Sequence, residues 1–317
     1  MENIKCIFCG DVKSHTVIEE NGYTGRKCEI CNLIYISPRP TQQEISEIYS
    51  KDRIDYYTNG HIAKEFMKRL FAKHTLKSIK KYSRSGSLLE IGSGAGFFLD
   101  EAKKRKFNTF GNEISAKQCE YTKTRFNIPC VSDSFSPAIF NNKKYDIIYH
   151  CDVLSHFYNP IEEFKKMNEA LNDNGLLVFE TGNFGDVEKK YYKYFNSFQY
   201  PDHLFFFSDK SIKKLLISTG FESFKIMRYS LLPELIYNRL FLKYISKNSQ
   251  KQIKVNNFTN QKIISDETNN SNNRIFLITI LKKLNNYFSY ILRYQIGNII
   301  PKNGRPQTII VIARKIK

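Results

Sequence analysis

One stretch constrains this chain more than any other: Leu88-Leu89-Glu90-Ile91-Gly92-Ser93-Gly94-Ala95-Gly96. Ser87–Ile91 reads as a short apolar strand, and a helix follows from about Ala95 to Arg105. Glycines in such a turn adopt positive φ and let a ligand approach the backbone. The helix start adds unpaired N–H groups. A second acid, Glu113, stands 17 positions after Gly96, at the end of the next expected strand, Asn108–Ile114. A carboxylate there can accept both hydroxyls of a ribose. A glycine run alone is weak; with a strand before it and an acid after the next strand, it points to a nucleoside-bearing ligand. A dinucleotide site would read Gly-x-Gly-x-x-Gly. Here the third glycine comes one place early and Glu90 precedes the run.

The surrounding pattern supports the turn. Ser115 caps a helix, with Gln118 in the capping-box position. Pro129–Ser132 is a short third strand, Tyr145–Cys151 a strong fourth, and Gly175–Thr181 a fifth. Pro160 falls in the first turn of a helix, where proline is tolerated. Ser208 caps a helix ending at Gly220, Phe221–Tyr229 follows as a strand, and Thr308–Ala313 is the last. Strands spaced by helices predict an α/β, Rossmann-like, mostly parallel sheet.

Four of the seven cysteines form two close pairs, Cys6/Cys9 and Cys28/Cys31, with 18 residues between them. That spacing predicts a closed tetrahedral Zn²⁺ site, structural because four protein ligands leave no open position. Forty residues build little core, so a metal is the natural staple; two disulfides are the alternative. Cys119, Cys130 and Cys151 are read as small buried residues.

The glycine turn resembles the signature of class I S-adenosylmethionine-dependent methyltransferases. Tyr145-Asp146-Ile147-Ile148 and then Cys151-Asp152-Val153-Leu154-Ser155-His156 resemble that family's fourth-strand segment, with Ser155 where Glu is common. Leu171-Asn172-Asp173-Asn174-Gly175 resembles its Leu-x-Pro-Gly-Gly turn, with Asp and Asn replacing Pro and the first Gly. The resemblance covers roughly Ser87 to Tyr229 plus the last strand, and implies a seven-stranded sheet and an S-adenosyl-L-methionine cofactor. It places Glu90, Gly92, Gly94 and Gly96 at the methionine part, Glu113 on the ribose, Asp133 near adenine, and Asp152 among the cofactor contacts. The cysteine module ahead of Ser37-Pro38-Arg39-Pro40, followed by Asp55-Tyr56-Tyr57, looks like a branch acting on sugars or small molecules. The implied acceptor is a small-molecule or glycan hydroxyl in surface-glycan or secondary-metabolite synthesis.

Substrate-binding loops are expected at the carboxyl ends of the strands. The run from Tyr191 to Phe207 is dense with aromatic residues, which stack on sugar rings or pack as a lid. Within it lies His203, and just past strand four lies His156. Either imidazole can take a hydroxyl proton as the methyl arrives, so both are candidate catalytic bases, His203 ahead of His156. A structural role is the alternative for each.

Charge enters last. The chain carries 49 basic and 31 acidic residues, a net charge of +18, and from Ser230 onward 15 Lys and Arg face three acids. That asymmetry speaks to partners rather than to fold. Four segments are expected: a zinc-binding module at 1–40, a helical linker at 41–86, the cofactor domain at 87–229 plus 305–317, and a basic helical insertion at 230–304. The insertion combines Ile275–Leu281, Tyr287, Phe288 and Ile291 with Lys282, Lys283 and Arg293. This predicts peripheral contact with an anionic membrane. Met1–Gly10 is polar and no apolar run nears the ~20 residues of a membrane span, so a cytoplasmic home is expected. Two rivals remain: an RNA methyltransferase, disfavoured because no RNA-binding module is evident, and a non-catalytic scaffold on a membrane or polyanion. The oligomeric state stays open.

Overall fold

A computed structural model describes residues 1–48, 60, 62–240 and 280–316. Seven strands build the main sheet: β4 (Gly86–Ile91), β5 (Phe107–Asn112), β6 (Cys130–Val131), β7 (Tyr145–Cys151), β8 (Leu171–Gly182), β10 (Phe221–Ser230) and β11 (Gln307–Lys315). Their order is β10-β11-β8-β7-β4-β5-β6. β6, β5, β4, β7 and β8 run parallel. β11 pairs antiparallel with β8 and with β10. The strand order reverses between β4 and β7, the place where open α/β sheets form their binding crevice.

Period-two alternation sends Leu89 to one face and Leu88 to the other. Leu89 joins Ile148, Phe179, Ile309 and Val311 in one core. Helices Pro160–Ala170 and Asp209–Ser218 cover it through Phe164, Met167, Leu215 and Leu216. Leu88 joins Ile147, Tyr149, Val178 and Ile310 in the other, under Leu76, Ile79 and Phe98. Burial on both faces explains why these strands read as nearly continuous apolar runs. The caps at Ser115 and Ser208 form as expected, each accepting a backbone N–H three residues on. Thr41 and Glu44 close a reciprocal cap at the helix Gln42–Ile48.

The N-terminal module is a three-stranded ribbon, β1 (Ser14–Glu20), β2 (Tyr23–Cys28) and β3 (Ile34–Ile36). It is not a free appendage. The short strand β9 (Phe205–Phe206) pairs antiparallel with β3, matching Ile34 with Phe206 and Tyr35 with Phe205. Ile36 N–H donates to the Leu204 carbonyl at 3.1 Å. Apolar ribbon residues such as Leu33 and Ile36 share the core of the sheet's first face.

Two further segments pack more intimately than their composition suggests. The helix Glu65–Ile79, within the expected linker, is a layer on the sheet through Ala72, Leu76 and Ile79. In the basic insertion, Leu292 and Tyr294 are buried. Arg293 does not belong to an outward cationic surface: its Nε lies 2.7 Å from Glu234 Oε2 and its guanidinium stacks 4.7 Å from the Phe71 ring centre. Lys282 and Lys283 are exposed. The expected loop at 246–273, the helix start at 274–279, and His61, Asp55, Tyr56 and Tyr57 lie outside the described residues.

Candidate active site

Gly92, Gly94 and Gly96 all have positive φ, at 68°, 53° and 74°. For two of them the protein itself forbids a side chain. A Cβ on Gly92 would stand 2.6 Å from Val153 Cγ2, and one on Gly96 would stand 2.6 Å from Thr122 Oγ1. Gly94 serves the site: its N–H donates to Glu113 Oε2 at 2.7 Å, while its carbonyl accepts from Thr122 Oγ1 at 3.4 Å. Glu113 Oε1 accepts the Ser115 N–H at 3.0 Å.

The turn is therefore flanked by two buried acids. Burial raises the Glu113 pKa, although its bonds to Ser115 and Gly94 oppose the shift. Burial drives Glu90 well above the ordinary carboxylate range, Lys68 draws it down, and Glu113 adds to the rise. Glu90 Oε2 is buried without a hydrogen-bond partner. A buried acceptor in that state calls for a donor. An ammonium-bearing ligand fits this chemistry.

The other expected contacts sit along the same sheet edge. Asp133 follows β6; its carbonyl accepts from Asn112 Nδ2 at 2.8 Å and its exposed carboxylate accepts the Ser134 N–H at 2.6 Å. Asp152 follows β7 in the left-handed region at φ 54°, with its N–H donating to the Glu180 carbonyl at 3.0 Å. A non-glycine residue so placed is uncommon and is typical of functional turns. Glu90, the three glycines and Glu113 thus come together at the ends of β4 and β5, with Asp133 and Asp152 on the flanking strands.

Two residues escaped the sequence reading. Ile114, next to Glu113, is 53% exposed, an apolar side chain beside the buried acid. Glu180 is buried on β8; its carboxylate accepts from Tyr294 Oη at 2.7 Å and from Thr75 Oγ1 at 3.4 Å. Burial, aided by Asp152, pushes Glu180 up to about 7. Its one sequence signal is an acid closing the apolar run Leu176–Phe179.

The histidines meet. The His156 and His203 rings lie 4.7 Å apart, centre to centre. His156 Nδ1 is 3.3 Å from Asp202 Oδ1. Burial, then His156, pushes His203 down to about 4, which leaves it neutral at ordinary pH and a poor proton acceptor. The aromatic run divides. Tyr200, Phe205 and Phe207 are fully buried, while Tyr192, Phe195, Phe198 and Phe206 ring Phe184 at 4.7–5.3 Å. Packing consumes most of those faces.

In the ribbon, the Sγ atoms of Cys6, Cys9, Cys28 and Cys31 all lie within 4.8 Å of one another. Cys6 and Cys31 are 3.5 Å apart, too far for a disulfide. Sulfurs around a tetrahedral zinc at ~2.3 Å are about 3.8 Å apart. The donor set therefore fits a thiophilic ion.

A family model described as a methyltransferase domain matches residues 62–225, just over half of the chain. The malonyl-[acyl-carrier protein] O-methyltransferase of Legionella pneumophila is 28% identical over 144 residues, 44% of this chain and 49% of that protein. The chain thus spans about half the length of that curated relative. A solved S-adenosylmethionine-dependent methyltransferase from Thermotoga maritima superposes with a TM-score of 0.50 at 15% identity, over 84% of this chain and all of that one. Phosphoethanolamine N-methyltransferase 2 of Haemonchus contortus, solved with S-adenosyl-L-methionine, gives 0.47 at 17% identity, over 84% of this chain and 59% of that one. With the glycine turn, its two acids and the reversed strand order in place, the family match makes this chain a member of the class I S-adenosylmethionine-dependent methyltransferases.

Proposed function

We propose that this methyltransferase moves the sulfonium methyl of S-adenosylmethionine to a hydroxyl of a small-molecule or sugar acceptor. The observation that carries the cofactor assignment is the pair of buried acids around Gly94, one with an unpartnered oxygen. In this reading Glu90 and the glycine turn hold the methionine end, Glu113 the ribose, and Ile114 with Asp133 the adenine. The chain then supplies alignment and desolvation, because the sulfonium carries the intrinsic reactivity. A structural zinc on Cys6, Cys9, Cys28 and Cys31 secures the ribbon, supported by the sulfur spacing.

The acceptor side is the mouth formed by His156, His203 and the loop before β9. The meeting of two imidazoles and a carboxylate within 4.8 Å of one another supports this reading. The test is methyl transfer from labelled cofactor to a panel of sugars, sugar nucleotides, RNA and malonyl-[acyl-carrier protein], the last from the curated relative's name. Turnover on a sugar hydroxyl supports the reading; turnover confined to the carrier-linked malonyl group replaces it with a carboxyl acceptor, and turnover only on RNA overturns it.

For the insertion we propose peripheral contact with an anionic lipid surface. Leu281, Leu284, Tyr287 and Phe288 are exposed beside Lys282 and Lys283. Each basic residue near such a surface contributes ~1 kcal/mol. No described helix is long and apolar enough to cross a membrane. Co-sedimentation with anionic but not neutral vesicles, weakened by salt, is expected; equal binding to both overturns it.

A further inference from the structure

We propose that His156, Asp202 and His203 form a binding site for one divalent first-row transition cation in the mouth of the acceptor pocket. The proposal rests on the reading of this mouth as the acceptor side. One ligand atom from each residue falls within 4.8 Å of the other two. The two loops that carry them are stitched together, Leu204 N–H donating to the Ser155 carbonyl at 2.8 Å. Each loop is also braced internally, by His156 N–H to the Val153 carbonyl at 2.9 Å and His203 N–H to the Gln199 carbonyl at 3.1 Å. The triad is therefore a preset feature of the backbone rather than a chance meeting of long side chains.

The state of His203 favours a ligand. Its Nδ1 is buried and has no hydrogen-bond partner. A buried ring nitrogen with no partner in the protein is the position a metal ion would fill. Three protein ligands leave coordination positions open, which a hydroxyl or carboxylate of the acceptor would complete. Two imidazoles and one carboxylate suit manganese, iron, cobalt or zinc, whereas the four ribbon sulfurs select a thiophilic ion. The two sites are thus chemically separable.

The experiment uses full-length protein as purified, with its ribbon metal in place, and Mn²⁺ as the probe. Free Mn²⁺ is counted by electron paramagnetic resonance during titration. One site per chain is expected, weakened at least tenfold in His203→Ala and in His156→Ala, and less in Asp202→Asn. His156 and Asp202 are half-exposed, so their variants report even where His203→Ala fails to fold. No Mn²⁺ bound at millimolar concentration, or affinity unchanged in His156→Ala and Asp202→Asn, overturns the site. Calorimetry with S-adenosylhomocysteine on the same samples reports the cofactor pocket separately, so absence of the metal leaves the methyl-transfer reading standing.

Discussion

Gly94 and Glu113 are a coupled pair, because the acid grips the glycine's own N–H at 2.7 Å. Glu113→Ala removes the acceptor of the Gly94 N–H and, in the proposed cofactor pose, that of the ribose, so affinity for S-adenosylhomocysteine should fall by about 1–3 kcal/mol in calorimetry. Gly94→Asp should abolish binding while the circular dichroism spectrum of the fold survives. Undiminished affinity in both variants would remove the cofactor assignment. Gly92 has a different reason to be glycine. Gly92→Ala meets Val153 and a positive φ, and should destabilise the protein by about 1–3 kcal/mol in denaturant melts. In a Val153→Ala background the added loss should shrink, because the clash is gone and only the backbone strain remains.

At the scale of elements, β3 and β9 tie the ribbon to the loop that carries His203, the proposed acceptor side. Ser208 Oγ donates to the carbonyl of the cysteine Cys31, and Asn32 Nδ2 donates to Asp186 Oδ1 at 3.3 Å. Elemental analysis should return one zinc per chain. Stripping it with a chelator should release the four thiols and loosen the β3–β9 pairing. Acceptor turnover should then fall before S-adenosylhomocysteine affinity does, since β9 is hydrogen-bonded to the ribbon while β4 and β5 share no strand pairing with it. Equal losses of both, or none of either, would detach the ribbon from the acceptor site.

Across the whole molecule, Glu180 joins three layers: β8 carries it, Thr75 reaches it from the helix Glu65–Ile79, and Tyr294 reaches it from the C-terminal segment. Asp152 raises its pKa further, while Tyr294, Arg293 and Lys68 oppose. The folded value is raised from 4.5 to about 7, so the folded state holds a proton that the unfolded state releases. Stability from this group is full below pH ~4.5 and is lost as pH rises through 7, on the order of 3 kcal/mol in total. Melts between pH 5 and 8 should show that decline, and Glu180→Gln should flatten it; an unchanged slope would assign it to other groups.

The sequence by itself determined the strand–turn–helix at Glu90–Gly96, the acid at Glu113, the caps at Ser115 and Ser208, and the spacing of the four ribbon cysteines. These are local: the turn needs glycine at fixed offsets, a cap needs its partner three residues on, and a Cys-x-x-Cys pair closes on one turn. Only the tertiary structure decided which distant groups meet. It turned Arg293 inward onto Glu234 and Phe71, because a buried acid and a ring face can hold a guanidinium that composition alone assigns to the surface. It brought His156 beside His203 across nearly fifty residues, through backbone bonds between two loops that carry no periodic signal. It also made the ribbon part of the body, since the pairing of Ile34 with Phe206 depends on where β9 lies, not on what either strand contains.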